Sequence, residues 1–171
     1  SGAALYRVNS DGSSTFCTGD TIPATGSVYM TNNVTQLGML VGSTMFYLTG
    51  TTVTRVTDGD FPAEGASSRD YIDGYGVLSR GGSTGQWFLS DLLDFSSYNA
   101  LNFATASSTT GVGLLRVLAN HKEAWLFGDK TTEVWYDAGT FPFPFQLIPG
   151  SLIDRGIAAP LSALRMDNAP F

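Results

Sequence analysis

Short apolar runs separated by polar turns fill the chain: ALYRV, LGMLVGST, TMFYLTG, YGVLSRGG, GQWFLSD, LLRVLAN, EAWLFGD and TTEVWY. Runs of this length, rich in β-branched and aromatic residues and bounded by turn formers, predict β-strands. Within EAWLFGD the two-residue alternation of a strand puts Trp125 and Phe127 on one face and Leu126 on the other; in TTEVWY, Val134 and Tyr136 oppose Trp135. Both faces are therefore apolar, as in a sheet packed between neighbouring sheets.

The runs also repeat. Tyr6, Phe46, Trp87 and Trp125 each sit in a β-like run, at successive separations of 40, 41 and 38 residues. A period near 40 belongs to four-stranded propeller blades. The pattern predicts an all-β chain, a β-propeller or part of one, with four-stranded antiparallel blades. Residues 1–171 read as one such domain or fragment of about four repeats, incomplete at both ends. The run before each anchor is expected to be an inner strand, with the anchor strand pairing beside it and the next strand lying further out. Phe46, Trp87, Trp125 and Trp135 are the predicted core anchors.

Turn chemistry agrees. Asn9-Ser10-Asp11-Gly12 is a hairpin signal, because Asp-Gly readily supplies the positive φ of a tight turn. Gly50-Thr51 and Gly128-Asp129-Lys130 are placed to close equivalent hairpins. SDLLDFSSYNALNF fits less cleanly, and a short helical turn capped by Asp91 or Ser96 is expected there. The chain opens on an anchor strand and closes on SALRMDNAPF, which reads as an inner strand, a turn and a further anchor at Phe171. Either the terminal pieces complete one blade of a small four-bladed ring, or the chain is part of a larger propeller.

Composition narrows the function. Lys occurs twice and Glu three times, so helix formers are scarce, and the net charge of −6 with a pI near 4.4 argues against binding nucleic acid or an anionic membrane through charge. No apolar run approaches the roughly 20 residues of a membrane-spanning helix. His121, the one histidine, lies in the turn LANHKEAW without a nucleophile elbow, and reads as a solvated turn residue. One His and one Cys (Cys17) do not supply the usual zinc ligand set. No catalytic residue, metal or cofactor is assigned. The better enzymatic alternative lies in TDGDFPAEGASSRDYIDG, where Asp58, Asp60, Glu64, Asp70 and Asp73 offer carboxylates for glycoside hydrolysis or Ca²⁺, although the spacing departs from a calcium loop. A plain acidic connecting loop is the simpler reading. Ser10 to Phe16 is a near match, one residue short in two spacings, to the hairpin-stabilising box of sialidase-like propellers, which speaks for fold and not reaction.

In TFPFPFQLIPG, Pro142, Pro144 and Pro149 each remove a ladder donor, which suits an edge strand or an extended segment. Phe141, Phe143 and Phe145 share one face if the segment is extended. That face either caps the outer edge of a blade or docks on a partner subunit, so the three are the candidate interface.

Several motifs of this region occur together in one family. Phe127-Gly128, Thr131 to Tyr136, Gly139, Phe143-Pro144-Phe145, Pro149-Gly150, Arg155-Gly156 and Ala159-Pro160, with the upstream WFLSDLLDFSSYNALNFATAS, resemble in order the packaged-DNA stabilisation proteins, the tail-hub proteins of short-tailed bacteriophages. The match covers roughly residues 87 to 162. It departs at Tyr98, where the pattern more typically has Trp, and at Leu161, which separates Pro160 from Ser162. The family's members are longer, which favours the reading as part of a larger propeller. The resemblance implies a non-enzymatic virion component made in the host cytoplasm: a homo-oligomeric ring that closes the portal channel after packaging and links portal and adaptor to tail needle and tailspikes, without sequence-specific nucleic-acid binding. The alternative from another class is a glycan-binding or glycan-hydrolysing propeller domain.

Overall fold

The computed structural model describes residues 2–82, 84–106, 113–166 and 169–170; Phe171 lies outside them. Among the described residues all regular structure is β. The N-terminal part forms β1 (Gly2–Ala3), β2 (Tyr6–Val8), β3 (Ser14–Phe16), β4 (Thr18–Gly19) and β5 (Ile22–Pro23). Three four-stranded antiparallel sheets follow: β6 (Val28–Asn32), β7 (Leu37–Val41), β8 (Thr44–Thr49) and β9 (Thr52–Arg55); then β10 (Ala66–Ile72), β11 (Tyr75–Arg80), β12 (Gln86–Asp91) and β13 (Asp94–Thr105); then β14 (Arg116–Asn120), β15 (Glu123–Phe127), β16 (Thr132–Asp137) and β17 (Phe145–Leu147). A short pair, β18 (Arg165–Met166) and β19 (Ala169–Pro170), comes last. Each sheet is a meander in strand order, and the first gains a parallel outer strand, β4 beside β9.

Strand alternation accounts for how the sheets stack. In the first blade Met39, Val41, Phe46 and Leu48 face Leu5, Cys17 and Ile22 of the N-terminal segment, while Leu40 and Met45 face the second blade's Leu78, Phe88 and Phe95. The second blade's other face, with Val77, Trp87 and Leu89, meets Val117, Ala124 and Leu126 of the third. The third blade's far side, Leu118, Trp125 and Phe127, is covered by Ile157 and Ala163. Each of the three four-stranded sheets thus packs on both faces, as the doubly apolar runs require.

Polar links tie neighbouring blades where backbone ladders do not. From β10, Ser68 Oγ accepts a hydrogen bond from the Val117 amide and Asp70 Oδ2 one from the Ala119 amide, each at 2.8 Å. At the opposite ends of the strands, the turn after β6 reaches the turn before β13. Asn33 Nδ2 donates to the Leu93 carbonyl (2.9 Å), Gln36 Nε2 donates to Asp94 (3.1 Å), and Gln36 Oε1 accepts from the Phe95 amide (2.7 Å).

The structure corrects the strand assignments in four places. The blades begin at Val28, Ala66 and Arg116, so the steps are 38 and 50 residues, not a uniform forty. Phe46 and Trp87 lie on third strands, but Trp125 lies on the second strand of its blade and Trp135 takes the third; the run before the anchor is the inner strand only for Trp125. The cause is β13, whose twelve residues and long exit displace the third blade along the sequence. Those same residues hold no helical turn. Asp94 Oδ1 accepts from both the amide (2.8 Å) and the hydroxyl (2.6 Å) of Ser96, Asp91 accepts from Ser97, and Leu93 takes a φ of 57°, so the capping groups serve a hairpin and a bulged strand. Tyr6 is no blade anchor either: it is 56% exposed on the β2–β3 hairpin, paired with Phe16 at 5.4 Å.

Candidate functional site

The loop Ala138–Pro144 between β16 and β17 is fixed by its own polar groups. Asp137 Oδ1 accepts from the Gly139 amide (2.8 Å), the Ala138 amide donates to the Pro144 carbonyl (2.8 Å), and Thr140 Oγ1 donates to the Phe143 carbonyl (2.9 Å). Gly139 supplies the positive φ of 61° that the turn requires. The Phe141-Pro142 peptide bond is cis. The hydrogen bonds of Asp137, Ala138 and Thr140 bend the segment at its tip, and the three phenylalanines do not share a face. Phe145, on the outer strand of the third blade, is buried; Phe143 is half-buried; Phe141 is 96% exposed.

The two inner rings join an aromatic block that binds the second blade to the third. Trp87, fully buried, meets Trp135 at 5.4 Å, Phe143 at 5.1 Å and Phe145 at 5.4 Å, all near edge-to-face. Such pairs add about 0.5–1.5 kcal/mol beyond area burial. Trp125 and Trp135 are half-buried, and each indole N–H donates to a glutamate two residues earlier, Glu123 (3.0 Å) and Glu133 (2.9 Å). Phe46 is 2% exposed in the layer under the N-terminal segment.

The motif Arg155-Gly156 has a packing reason. A Cβ at Gly156 would collide with the carbonyl of Gly128 and the backbone of Asp129 and Lys130, while the Ile157 amide donates to Gly128 O (2.9 Å) and Thr132 Oγ1 donates to the Arg155 carbonyl (2.7 Å). Phe-Gly and Arg-Gly are thus two sides of one close approach.

The acidic stretch is spread among separate duties. Asp58 accepts from the amides of Asp60 (2.8 Å) and Tyr98 (3.3 Å), Asp70 holds Ala119, and Asp73 sits at a turn with φ 46°. Glu64 pairs with Arg80 at 3.3 Å, and its own backbone amide together with that guanidinium keeps its carboxyl below the usual range. Asp60 lines a groove of about 250 Å³ with Phe61, Arg80, Gln86, Asn99 and Phe103. Asp60 is the one carboxylate there, so the pair that glycoside hydrolysis uses is not assembled in this groove among the described residues. Those residues hold no cluster of three or more potential metal ligands. His121 occupies the exposed two-residue turn between β14 and β15, and Cys17 is buried. At Ser10 to Phe16, Asp11 accepts from the Ser13 amide (2.9 Å) and hydroxyl (2.7 Å), a device that stabilises the hairpin.

One buried group was not singled out by the sequence. Arg69 projects from β10 between the first two blades and is 1% exposed. Its signal was available: alternation in ASSRDYI puts Arg69 on the face of Tyr71, opposite Ser68 and Asp70.

Meandering four-stranded sheets stacked face to face define a β-propeller protein. The chain belongs to the family of the bacteriophage P22 Gp10 β-propeller, whose model matches residues 1–170, and is thus a phage structural protein. Three solved structures of Hsv2 from Kluyveromyces lactis share the fold. One, with loop 6CD complete, is 10% identical at a TM-score of 0.51, over 81% of this chain and 41% of that one. A second is 11% identical at 0.52 over 81% and 42%, and a third 11% identical at 0.52 over 91% and 49%. The chain therefore spans under half the length of these structures. A search of curated protein sequences returns no match.

Proposed function

We propose that the chain is a non-enzymatic part of the phage tail hub, closing the portal channel after DNA packaging and linking the portal adaptor to the tail needle and tailspikes in a homo-oligomeric ring. The observation that carries this reading is the family match along residues 1–170. The packing is compatible with the role. A plug has to resist deformation, and these blades are joined by an aromatic block and by buried polar links while presenting the almost fully exposed ring of Phe141 on a braced loop. Exposed aromatics on rigid supports make efficient contact points at assembly interfaces. With a net charge of −6, retention of DNA is steric and not by neutralisation of phosphates.

The test is assembly. Mixed with the portal and adaptor of its own phage, the protein should co-sediment as a ring, and heads made without it should lose their DNA. Heads that keep their genome in its absence would overturn the reading, and tight, salt-sensitive DNA binding by the isolated protein would overturn steric retention. The groove at Asp60, Phe61 and Phe103 favours glycan binding as a second reading, which predicts a rise in melting temperature on adding host surface polysaccharide.

A further inference from the structure

Between the first two blades lies a group of buried polar side chains that blade packing leaves unpaired. The Arg69 guanidinium occupies the notch left by Gly38 on β7, where any Cβ would collide with it, and lies over the Phe95 ring at 4.6 Å. Among the described residues, none of its Nε, Nη1 and Nη2 atoms meets a hydrogen-bond partner; nor do the buried hydroxyls of Tyr29, Thr31 and Tyr98. These groups converge by register. Thr31 faces Gly38 across the β6–β7 ladder, and Tyr29, two residues earlier, shares that face of the first blade. Tyr98 belongs with Phe95 and Tyr29 to one core layer, close enough to Arg69 for each to influence the other's ionisation.

The chemistry of the set is one-sided. A guanidinium only donates, and a hydroxyl with nothing to accept is free to donate. Burial pulls the Arg69 guanidinium down to about 10, which leaves it charged at neutral pH. The ring of Phe95 offsets part of the cost of an unpaired interior cation, but no carboxylate forms an ion pair with it among the described residues: Asp70 points to the other face to hold Ala119, and Asp58 is turned to the Tyr98 and Asp60 amides. Water could accept some of these hydrogen bonds without balancing the charge. The neighbouring Arg116 guanidinium, over the Tyr29 ring at 5.0 Å, is only half-buried and donates to the Pro160 carbonyl, so a doubly charged oxyanion would overbalance the fully buried cation, Arg69. A sphere of one negative charge accepts from several donors in any direction.

We propose that Arg69, Tyr98 and Thr31 form an internal binding site for a monovalent halide-class anion, held between the first and second blades.

Bromide is the probe. With ionic strength held constant by gluconate, bromide should raise the melting temperature of the chain along a saturating curve, as expected for a ligand bound only by the folded state. Crystals grown in bromide should give an anomalous peak within hydrogen-bonding distance of Arg69. Tyr98→Phe should raise the half-saturating concentration roughly tenfold, by loss of a charge-assisted hydrogen bond, and Arg69→Met should abolish saturation. The proposal is overturned if bromide, sulfate and gluconate act alike, if both variants titrate as the parent does, or if the crystals show only water beside Arg69. Should Arg69→Met fail to fold, the parent curve, the anomalous map and Tyr98→Phe decide the question.

Discussion

Phe141, Phe143 and Phe145 lie within five residues and have different energetic roles, so truncating each to alanine tests the packing directly. Phe145 is 3% exposed and meets Trp87 at 5.4 Å and Tyr75 at 6.2 Å. Removing a buried phenyl ring costs about 3–5 kcal/mol, through lost transfer energy and the cavity left behind. For a chain of 171 residues each kcal/mol lowers the melting temperature by about 2–4 °C, so Phe145→Ala should melt roughly 6–20 °C below the parent. Phe143→Ala should fall between parent and Phe145→Ala, since its ring is half-buried against Trp87. Phe141→Ala should lie within about 0.5 kcal/mol of the parent, as exposed substitutions do. Urea unfolding followed by tryptophan fluorescence and far-ultraviolet circular dichroism measures all three, read as midpoints at constant m. A loss at Phe141 comparable to that at Phe145, or a Phe145 loss under about 1 kcal/mol, would refute the description of this loop.

Three further outcomes are expected. Ser68→Ala should cost about 1–3 kcal/mol in the same assay and speed hydrogen exchange at the Val117 amide, which loses its buried acceptor. Partial burial pushes the Asp94 carboxyl up, but hydrogen bonds from Ser96 and Gln36 outweigh it and leave the group below 3.8. A carboxyl lowered on folding stabilises the protein above its unfolded value, so that contribution should fade as pH drops through and below 3.8, and Asp94→Asn should flatten this part of the urea-midpoint profile. In the assembly experiment, Phe141→Ser should weaken ring formation while leaving the melting temperature unchanged; full assembly by this variant would remove Phe141 from the interface.

Much of the architecture could be read from alternation alone. Trp125 and Phe127 do oppose Leu126, and the Asp11-Gly12, Gly50-Thr51 and Gly128 turns do close hairpins, because pleat and turn chemistry are local properties of the chain. Strand rank within a blade is not local. It depends on how many residues the preceding connection consumes, and the twelve-residue β13 moved Trp125 off the third strand without disturbing its spacing. The helical turn expected near Asp91 failed for a related reason: Asp and Ser cap helices and hairpin turns through the same side-chain bonds, and the burial of Phe95 and Tyr98 on a sheet decided between them. At the candidate interface, the prolines correctly signalled an edge strand at Phe145. The bend that separates Phe141 from its neighbours arises from contacts within the loop, which no periodicity encodes.

The short parallel strand β4 has a bearing on solubility. The Thr18 and Asp20 amides donate to the carbonyls of Thr51 and Val53, and Asp20 Oδ2 accepts from the Arg55 amide at 2.7 Å, so these two residues occupy the hydrogen-bonding rim of β9. An uncovered rim is a template for another chain's strand. A truncation that removed residues 2–20 would therefore do more than strip Leu5 and Cys17 from the first blade. It would convert a blocked sheet border into an adhesive one, and the shortened protein should form β-rich aggregates at concentrations where the parent stays dispersed.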